Sequence, residues 1–344
     1  MINSIRTNLS SQLLGMRQIS TVDLLNNNPP FKKGFTYYCS NITRTNENKL
    51  HIFESEMKSK LAQRLAITYY RTKIRTIGLV SPKLAAEKAY DLFCTPRKSN
   101  KKPKVPPIFH KATALNLVSR GQTLKGYHWL PTHPNGKKIL IIHGFSSYSY
   151  KFEKYVGLFK KEGFEVVTFD APAHGQSGGK HINALIYKEA LLDIEQAYGP
   201  FYGWMGHSLG GLAASLAFQT LANQENRKLV LIAPATETKR AIEHYFSIIQ
   251  VDDKIKQAFT ELIASLTHHK IEEIAVSHAL KQINAPVLWV HDKQDMICVF
   301  DAVIPIMEAK PANVRFHITD GLGHSRVYKE AEVTGAIVHF LLEA

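Results

Sequence analysis

The segment GHSLGG at residues 206–211 has the residue types and spacing of a serine nucleophile held in a sharp turn. It follows an expected strand and opens an expected helix, so Ser208 would stand above the end of that strand. Gly206 and Gly210 lie two residues to either side of the serine, where so tight a turn leaves no room for side chains. The turn would also place the backbone N–H of Leu209 at a helix N-terminus, where it can bind a developing oxyanion. The segment therefore predicts nucleophilic acyl chemistry at Ser208.

A second donor to the oxyanion is expected from the segment IIHGF at residues 141–145, which ends another expected strand. The backbone N–H of Phe145 would supply it. His143 in the same segment is expected to orient its neighbours and not to act as a base.

A serine nucleophile needs a base and an acid that orients the base. His324 is the candidate base, because it lies in the glycine-flanked loop DGLGH after the last expected strand and can reach the nucleophile from above. His317 lies within that strand and is expected to be structural. The segment VLWVHDKQD at residues 287–295 offers two candidate acids, Asp292 and Asp295.

Strand and helix patterns alternate from about residue 108 onward and would position these residues. Short apolar runs such as ILIIH, VVTF and LVLIA are typical of strands buried on both faces of a parallel sheet. Strands are expected at Ala114–Val118, Leu124–Trp129, Lys138–His143, Glu165–Phe169, Tyr202–Gly206, Leu229–Ala233, Val287–His291 and Val314–Ile318. Helices are expected at Tyr150–Lys161, Ile182–Tyr198, Leu209–Ala222 and Val327–Leu342. The pattern predicts an α/β fold with a doubly wound, mostly parallel sheet of about eight strands.

Residues from about 110 to 344 resemble the α/β-hydrolase family. The resemblance rests on the order and spacing of IIHGF (141–145), FDAPAHGQSGG (169–179), GHSLGG (206–211) and the late pair VHDKQD (290–295) with GLGHSR (321–326). It implies a catalytic triad of Ser208, Asp295 and His324. Asp295 is favoured over Asp292 because the acid in this family comes several residues after the strand.

The same resemblance implies roles for two other parts of the chain. The loop that carries Asp170 and His174 would brace the oxyanion and nucleophile loops and take no part in catalysis. A small helical cap would occupy about 236–283. Its apolar positions recur at helical spacing and are expected to pack the cap against the sheet: Ile242, Tyr245, Phe246, Ile249, Phe259 and Leu262.

The function implied is that of a metal-independent serine hydrolase, which cleaves a carboxylic ester or thioester through an acyl-enzyme. The small-molecule ester or thioester is the expected partner. Hydrolysis of C–C bonds, peptide hydrolysis and acyl transfer stay open as alternatives, as does a non-catalytic binding protein on the same scaffold. No cofactor or metal is expected, since the sequence has no phosphate-binding loop, dinucleotide fingerprint or HExxH pair.

Composition limits the other classes of function. The formal charge of the 344 residues is +14, but residues 1–110 hold 19 Lys and Arg against 6 Asp and Glu, and the remainder holds 24 against 23. The larger segment is thus nearly neutral and carries no nucleic-acid-binding motif, so no nucleic acid is expected as a partner. No apolar run approaches the ~18 residues of a membrane span. Three widely spaced cysteines favour a reducing compartment, and a cytoplasmic location is expected.

The first third of the chain is expected to be organised differently. Residues 1–56 lack periodicity and are expected to be disordered or, if Met57 is the biological start, a non-native leader. Residues 57–107 are expected to form a basic helical extension and linker ahead of the α/β domain at 108–344. Within 57–78 the basic residues share one stripe of a helix, which has two interpretations. The helix could contact a membrane surface, or, as we favour, pack its apolar side on the main domain with its arginines solvated.

Overall fold

A computed structural model describes residues 61–97, 103–267 and 269–343, which fall in two compact units, Met1–Ile67 and Thr68–Ala344. The expected leader at 1–56 and part of the expected linker lie outside the described residues. In the first unit, residues 61–67 are helical. Within the described ranges, no helix combines the length and apolar character needed to cross a membrane. The division of the chain at residue 107 stays a prediction.

The second unit contains eight strands and eleven α-helices among its described residues. The strands are β1 (Thr113–Ser119), β2 (Gln122–Trp129), β3 (Lys138–Ile142), β4 (Glu165–Phe169), β5 (Gly203–His207), β6 (Lys228–Ile232), β7 (Val287–Asp292) and β8 (Val314–Thr319). The helices are α1 (68–80), α2 (Pro82–Cys94), α3 (Glu153–Lys161), α4 (Ala184–Tyr198), α5 (Leu209–Phe218), α6 (Thr238–Ile249), α7 (Asp253–Thr267), α8 (Val276–Ala279), α9 (Ile304–Glu308), α10 (Gly323–Arg326) and α11 (Ala331–Leu342). Short 3₁₀ turns lie at Pro107–Lys111, Ser149–Phe152, Gln224–Asn226, Ile271–Glu273, Leu280–Gln282, Phe300–Ala302 and Val327–Lys329.

All eight strands form one sheet in the order β1-β2-β4-β3-β5-β6-β7-β8. β1 pairs antiparallel with β2, and β2 pairs antiparallel with β4. All other neighbouring strands of the sheet pair parallel. The predicted fold class, a mostly parallel α/β sheet of about eight strands, is confirmed. Because parallel strands end at the same edge, the loops after β3, β5, β7 and β8 meet at one edge of the sheet.

Helices bury the sheet on both faces, and successive side chains of its central strands point to opposite sides. Ile139 and Ile141 of β3 belong to one core with α3 and α11, whereas Leu140 and Ile142 belong to a second core with α4 and α5. The two expected helices Ile182–Tyr198 and Val327–Leu342 begin later than predicted. Asn183 caps the first, since its side chain accepts from Ile186 N–H, and a break at Glu330 separates a 3₁₀ turn from α11 in the second.

The segment expected to form a cap contains α6 and α7, which share a third core with α1 and α2. Ile242 and Phe259 from the cap helices pack with Ile74 and Ala85 from the first two helices of the unit. The expectation that these cap residues pack against the sheet is therefore wrong. The segment before residue 108 supplies the apolar surface that covers them, and it lay outside the region of clear family resemblance.

The orientation of α1 also differs from the prediction. Arg71 faces the cap, where its guanidinium donates to the backbone carbonyl of Ile248 at 2.9 Å. Ile74 and Gly78 are buried on the same side, and a Cβ atom at Gly78 would collide with Ile255. Tyr69 is exposed.

Candidate active site

Ser208 lies in a strained turn between β5 and α5, at the centre of the sheet edge. Its φ of 55° and ψ of −124° lie outside the regions that side-chain-bearing residues favour. Neighbouring backbone explains the glycines: a Cβ atom at Gly206 would lie 2.8 Å from the carbonyl oxygen of Gly210, and one at Gly210 would collide with the carbonyl of His143. The Ser208 N–H donates to the carbonyl of Ile232 at 3.1 Å, which ties the turn to β6.

Asp295 and His324 meet at the same edge, although 28 residues separate them along the chain. Nδ1 of His324 lies 2.8 Å from Oδ2 of Asp295, whose carboxylate is buried. The other oxygen, Oδ1, accepts from the backbone N–H groups of Ile297 and Cys298 at 2.8 and 2.9 Å. With Nδ1 bound to the carboxylate, Nε2 is the nitrogen of His324 that is available for proton transfer.

The electrostatics of Asp295 suit a carboxylate that stays ionised. Burial raises the pKa of Asp295, but the hydrogen bonds from His324 and from the N–H groups of Ile297 and Cys298 lower it, and the net pKa lies below its usual value. The charge needed to orient and stabilise an imidazolium is thus present at neutral pH.

Asp292, the other acid weighed in the sequence, has a different environment. Its carboxylate accepts from the N–H groups of Gln294, Leu322 and Gly323 and from the Thr319 hydroxyl, at 2.7–3.0 Å. Burial raises the pKa of Asp292 and these hydrogen bonds lower it, to a net value below the usual one. Asp292 therefore ties together the loops that carry Asp295 and His324, and its own oxygens are occupied.

The two predicted oxyanion donors flank the nucleophile. Leu209 begins α5, and Phe145 follows Gly144, where a Cβ atom would lie 2.8 Å from the Cβ of Ser208. Among the described residues, neither the N–H of Phe145 nor that of Leu209 donates to a protein acceptor. Two backbone donors beside the serine hydroxyl are the arrangement that stabilises a tetrahedral oxyanion.

The loop at residues 169–179 supports the oxyanion segment through its Asp and His. Asp170 accepts from the N–H and hydroxyl of Ser149 and from the N–H of Gln176 at 2.8–2.9 Å. Nε2 of His174 accepts from the N–H of Ser146 at 2.9 Å, directly beside Phe145. These contacts are those of a brace, as the sequence predicts.

His143 is fully buried beneath the same segment. Its Nε2 accepts from the N–H of Ala171 at 2.9 Å, so Nδ1 carries the proton and donates to the carbonyl of Gly144 at 2.8 Å. Burial, together with the nearby His174, lowers the pKa of His143 to about 4. A neutral imidazole with both nitrogens engaged fits the orienting role that the sequence predicts.

Sequence patterns do not single out three further residues that lie near the site. His207 reaches the carbonyl of His324 with Nε2 at 3.2 Å, and burial lowers its pKa to about 3. His291 donates from Nε2 to the carbonyl of Cys298 at 2.7 Å and accepts from the Trp289 indole N–H at 3.3 Å. The Cys298 thiol lies close to Ser208, and burial raises its pKa to about 12, so it stays neutral.

A signal for His291 does exist in the sequence, where it precedes Asp295 by four residues within VHDKQD. Cys298 gives no such signal, because it lies 90 positions after Ser208 and only the fold brings them together. Within 61–97, 103–267 and 269–343, no three His, Cys, Asp or Glu side chains form a group suited to a metal ion.

Comparisons with known proteins give a matching family model and a curated relative. A family model described as serine aminopeptidase S33 matches residues 133–280. A Mycoplasma genitalium protein named "Putative esterase/lipase 2" is 24% identical over 219 residues, which cover 54% of this chain and 81% of that protein.

Two solved structures of esterases are similar to this chain in fold. The esterase Est1E from Butyrivibrio proteoclasticus, solved with ferulic acid bound, has a TM-score of 0.53 at 20% identity and covers 67% of this chain and 98% of its own. The esterase Pf2001 from Pyrococcus furiosus has a TM-score of 0.53 at 19% identity, over 72% of this chain and 97% of its own.

Proposed function

We propose that this chain, which has an α/β-hydrolase-like fold and matches the S33 family model over residues 133–280, is a serine hydrolase that cleaves carboxylic esters or thioesters through an acyl-enzyme. The observation that carries the proposal is the buried hydrogen bond between Asp295 and His324 at the sheet edge where Ser208 stands. Ser208 would be the nucleophile, His324 the general base and Asp295 the residue that holds the imidazole in the required tautomer.

The reaction would proceed in two halves. In the first, Nε2 of His324 takes the proton of the Ser208 hydroxyl while Oγ attacks the acyl carbon, and the N–H groups of Phe145 and Leu209 bind the oxyanion. The tetrahedral intermediate collapses, and the imidazolium gives its proton to the leaving alcohol or thiol. In the second half, His324 activates a water molecule, which releases the acid and restores Ser208.

Apolar side chains at the site support a substrate with an apolar acyl group. Phe145 on the oxyanion segment is partly exposed, as are Met296, Ile297 and Val299 immediately after the proposed acid. Exposed large apolar side chains concentrated on two loops of one edge are typical of a surface that receives an apolar ligand.

The test is covalent labelling with a fluorophosphonate probe, read by intact mass. Wild type should take up one probe molecule, and Ser208→Ala should take up none. Ser247→Ala is the matched control, since Ser247 is an exposed serine on α6 whose hydroxyl donates to the carbonyl of His244. Labelling that survives in Ser208→Ala, or no labelling of folded wild type, contradicts the proposal.

If the probe labels wild type, a substrate screen is the next experiment. Turnover of p-nitrophenyl esters of increasing chain length, and of acyl thioesters with a thiol reagent, should be detectable in wild type and absent in Ser208→Ala. Activity should persist in the presence of a chelator. A chelator-sensitive activity that does not require Ser208 would be evidence against the mechanism.

Peptide hydrolysis is a second candidate, favoured by the description of the family model that matches residues 133–280. It would use the same three residues on an amide in place of an ester. An aminoacyl p-nitroanilide turned over faster than the matching p-nitrophenyl ester would favour the peptidase.

A further inference from the structure

One face of α1 is apolar, exposed and basic, and the proposed reaction does not use it. Ile74 and Gly78 are buried on the side of α1 that packs on the cap, so the opposite side of the helix faces outward. Tyr69, Leu79 and Val80 on that side are 59%, 87% and 89% exposed. Two adjacent branched apolar residues at nearly full exposure are unusual on a folded surface.

Their position is held by the connection between α1 and α2. The N–H of Ser81 donates to the carbonyl of Ile77 at 2.9 Å, and the Ser81 hydroxyl accepts from the N–H of Leu84 at 3.2 Å. Leu79 and Val80 therefore stand at a defined corner of the molecule, between a helix end and a capped helix start.

The charged residues of the chain segment that forms this corner all have the same sign. From Thr68 to Leu84 the chain has four basic residues and no acidic one. Lys73, Arg75 and Lys83 are exposed, and the Lys73 ammonium lies 5.8 Å from the centre of the Tyr69 ring. Apolar side chains flanked by cations are the pattern by which interfacial helices bind anionic lipid.

Charge also argues against two other occupants. Residues 1–60 hold eight Lys and Arg against four Asp and Glu, so that segment would bring more positive charge to a positive surface. A second copy of the chain would present the same cations to each other. The electrostatics favour an occupant that is anionic and can accept apolar side chains.

We propose that one surface of α1 attaches this protein to the surface of an anionic phospholipid bilayer. This α1 surface consists of Tyr69, Lys73, Arg75, Leu79 and Val80. Leu79 and Val80 enter the boundary between headgroups and acyl chains, while the cations contact lipid phosphates. The attachment is peripheral and reversible.

The test is co-sedimentation of the full-length protein with vesicles of phosphatidylcholine alone or with phosphatidylserine. Wild type should bind the anionic vesicles and lose binding as salt rises. Leu79→Ser with Val80→Ser should lower the partition coefficient roughly tenfold or more. Lys73→Glu with Arg75→Glu should lower it by at least about fivefold per residue.

Matched controls separate the α1 surface from general effects. Val118→Ser alters an apolar residue that is 69% exposed on the edge strand β1, and Lys161→Glu reverses an exposed charge at the end of α3. Both should bind as wild type does. Fluorophosphonate labelling should be equal in all variants, which verifies that each is folded.

Three results would overturn the proposal. Wild type that does not bind anionic vesicles has no such surface. Binding that survives both double substitutions assigns the contact elsewhere. A wild-type dimer that Leu79→Ser with Val80→Ser converts to a monomer assigns the α1 surface to a second copy of the chain.

Discussion

The loop after β4 carries a buried aspartate and a histidine, and the loops after β7 and β8 together carry another such pair. The hydrogen bonds of the two pairs differ. After β4, Asp170 binds Ser149 and Gln176, and Nε2 of His174 is engaged by the N–H of Ser146. After β7 and β8, Asp295 binds Nδ1 of His324, which leaves Nε2 for chemistry. Residue type does not separate a brace from the proposed catalytic pair; the difference is the ring nitrogen that is left for a substrate.

The largest expected effect compares the two histidines. His324→Ala should lower kcat by roughly 10⁴ to 10⁶, because it removes the proposed base. His174→Gln should stay within about tenfold of wild type, since a glutamine oxygen can still accept from Ser146 N–H. Initial rates on one p-nitrophenyl ester measure both variants. Comparable losses would mean that the loop after β4 takes part in catalysis.

Asp295→Asn should lower kcat by about 10⁴ with little change in KM, because the amide no longer selects the tautomer that leaves Nε2 unprotonated. The matched substitution is Asp170→Asn, which should leave kcat within about tenfold. A near-normal kcat for Asp295→Asn would reassign the acid, and Asp292 would be the next candidate.

Asp170→Asn should act on stability. It weakens two buried hydrogen bonds and one partly buried hydrogen bond to the carboxylate, so the free energy of unfolding should fall by about 1–3 kcal/mol. Urea denaturation measures this from the midpoint at constant slope. A neutral effect on unfolding would show that the carboxylate does not brace the loop.

A further expected effect is on the pH dependence of stability. His143 and His207 have pKa values lowered to about 4 and about 3 by burial, so between pH 6.5 and pH 4 the unfolded chain binds protons that the folded chain does not. The contribution of these two histidines to stability is full above about pH 6.5 and should be lost on acidification by up to about 1.4 kcal/mol per pH unit for each histidine.

His143→Gln should make this slope shallower, whereas substitution of the exposed His110 serves as the control. Urea midpoints at pH 7, 6 and 5 measure the slope. An unchanged slope in His143→Gln would mean that His143 does not stay neutral in the folded protein.

Local patterns predict much of the fold. Runs such as ILIIH and LVLIA locate β3 and β6 to within a residue, because strands buried on both faces must be continuously apolar. The nucleophile turn is also local, since Gly206, Ser208 and Gly210 lie within five residues. Helix ends are predicted less well, because a single cap such as Asn183 decides where α4 begins.

By itself, the sequence determines the alternation of strands and helices, the strained serine turn and the candidates for acid and base, because these depend on near neighbours. Only the tertiary structure decides which aspartate meets His324, that Cys298 lies against Ser208, and that α1 packs on the cap with Leu79 and Val80 outward. Those contacts join residues from 29 to 177 positions apart, and only folding brings such residues within range of a hydrogen bond or a van der Waals contact.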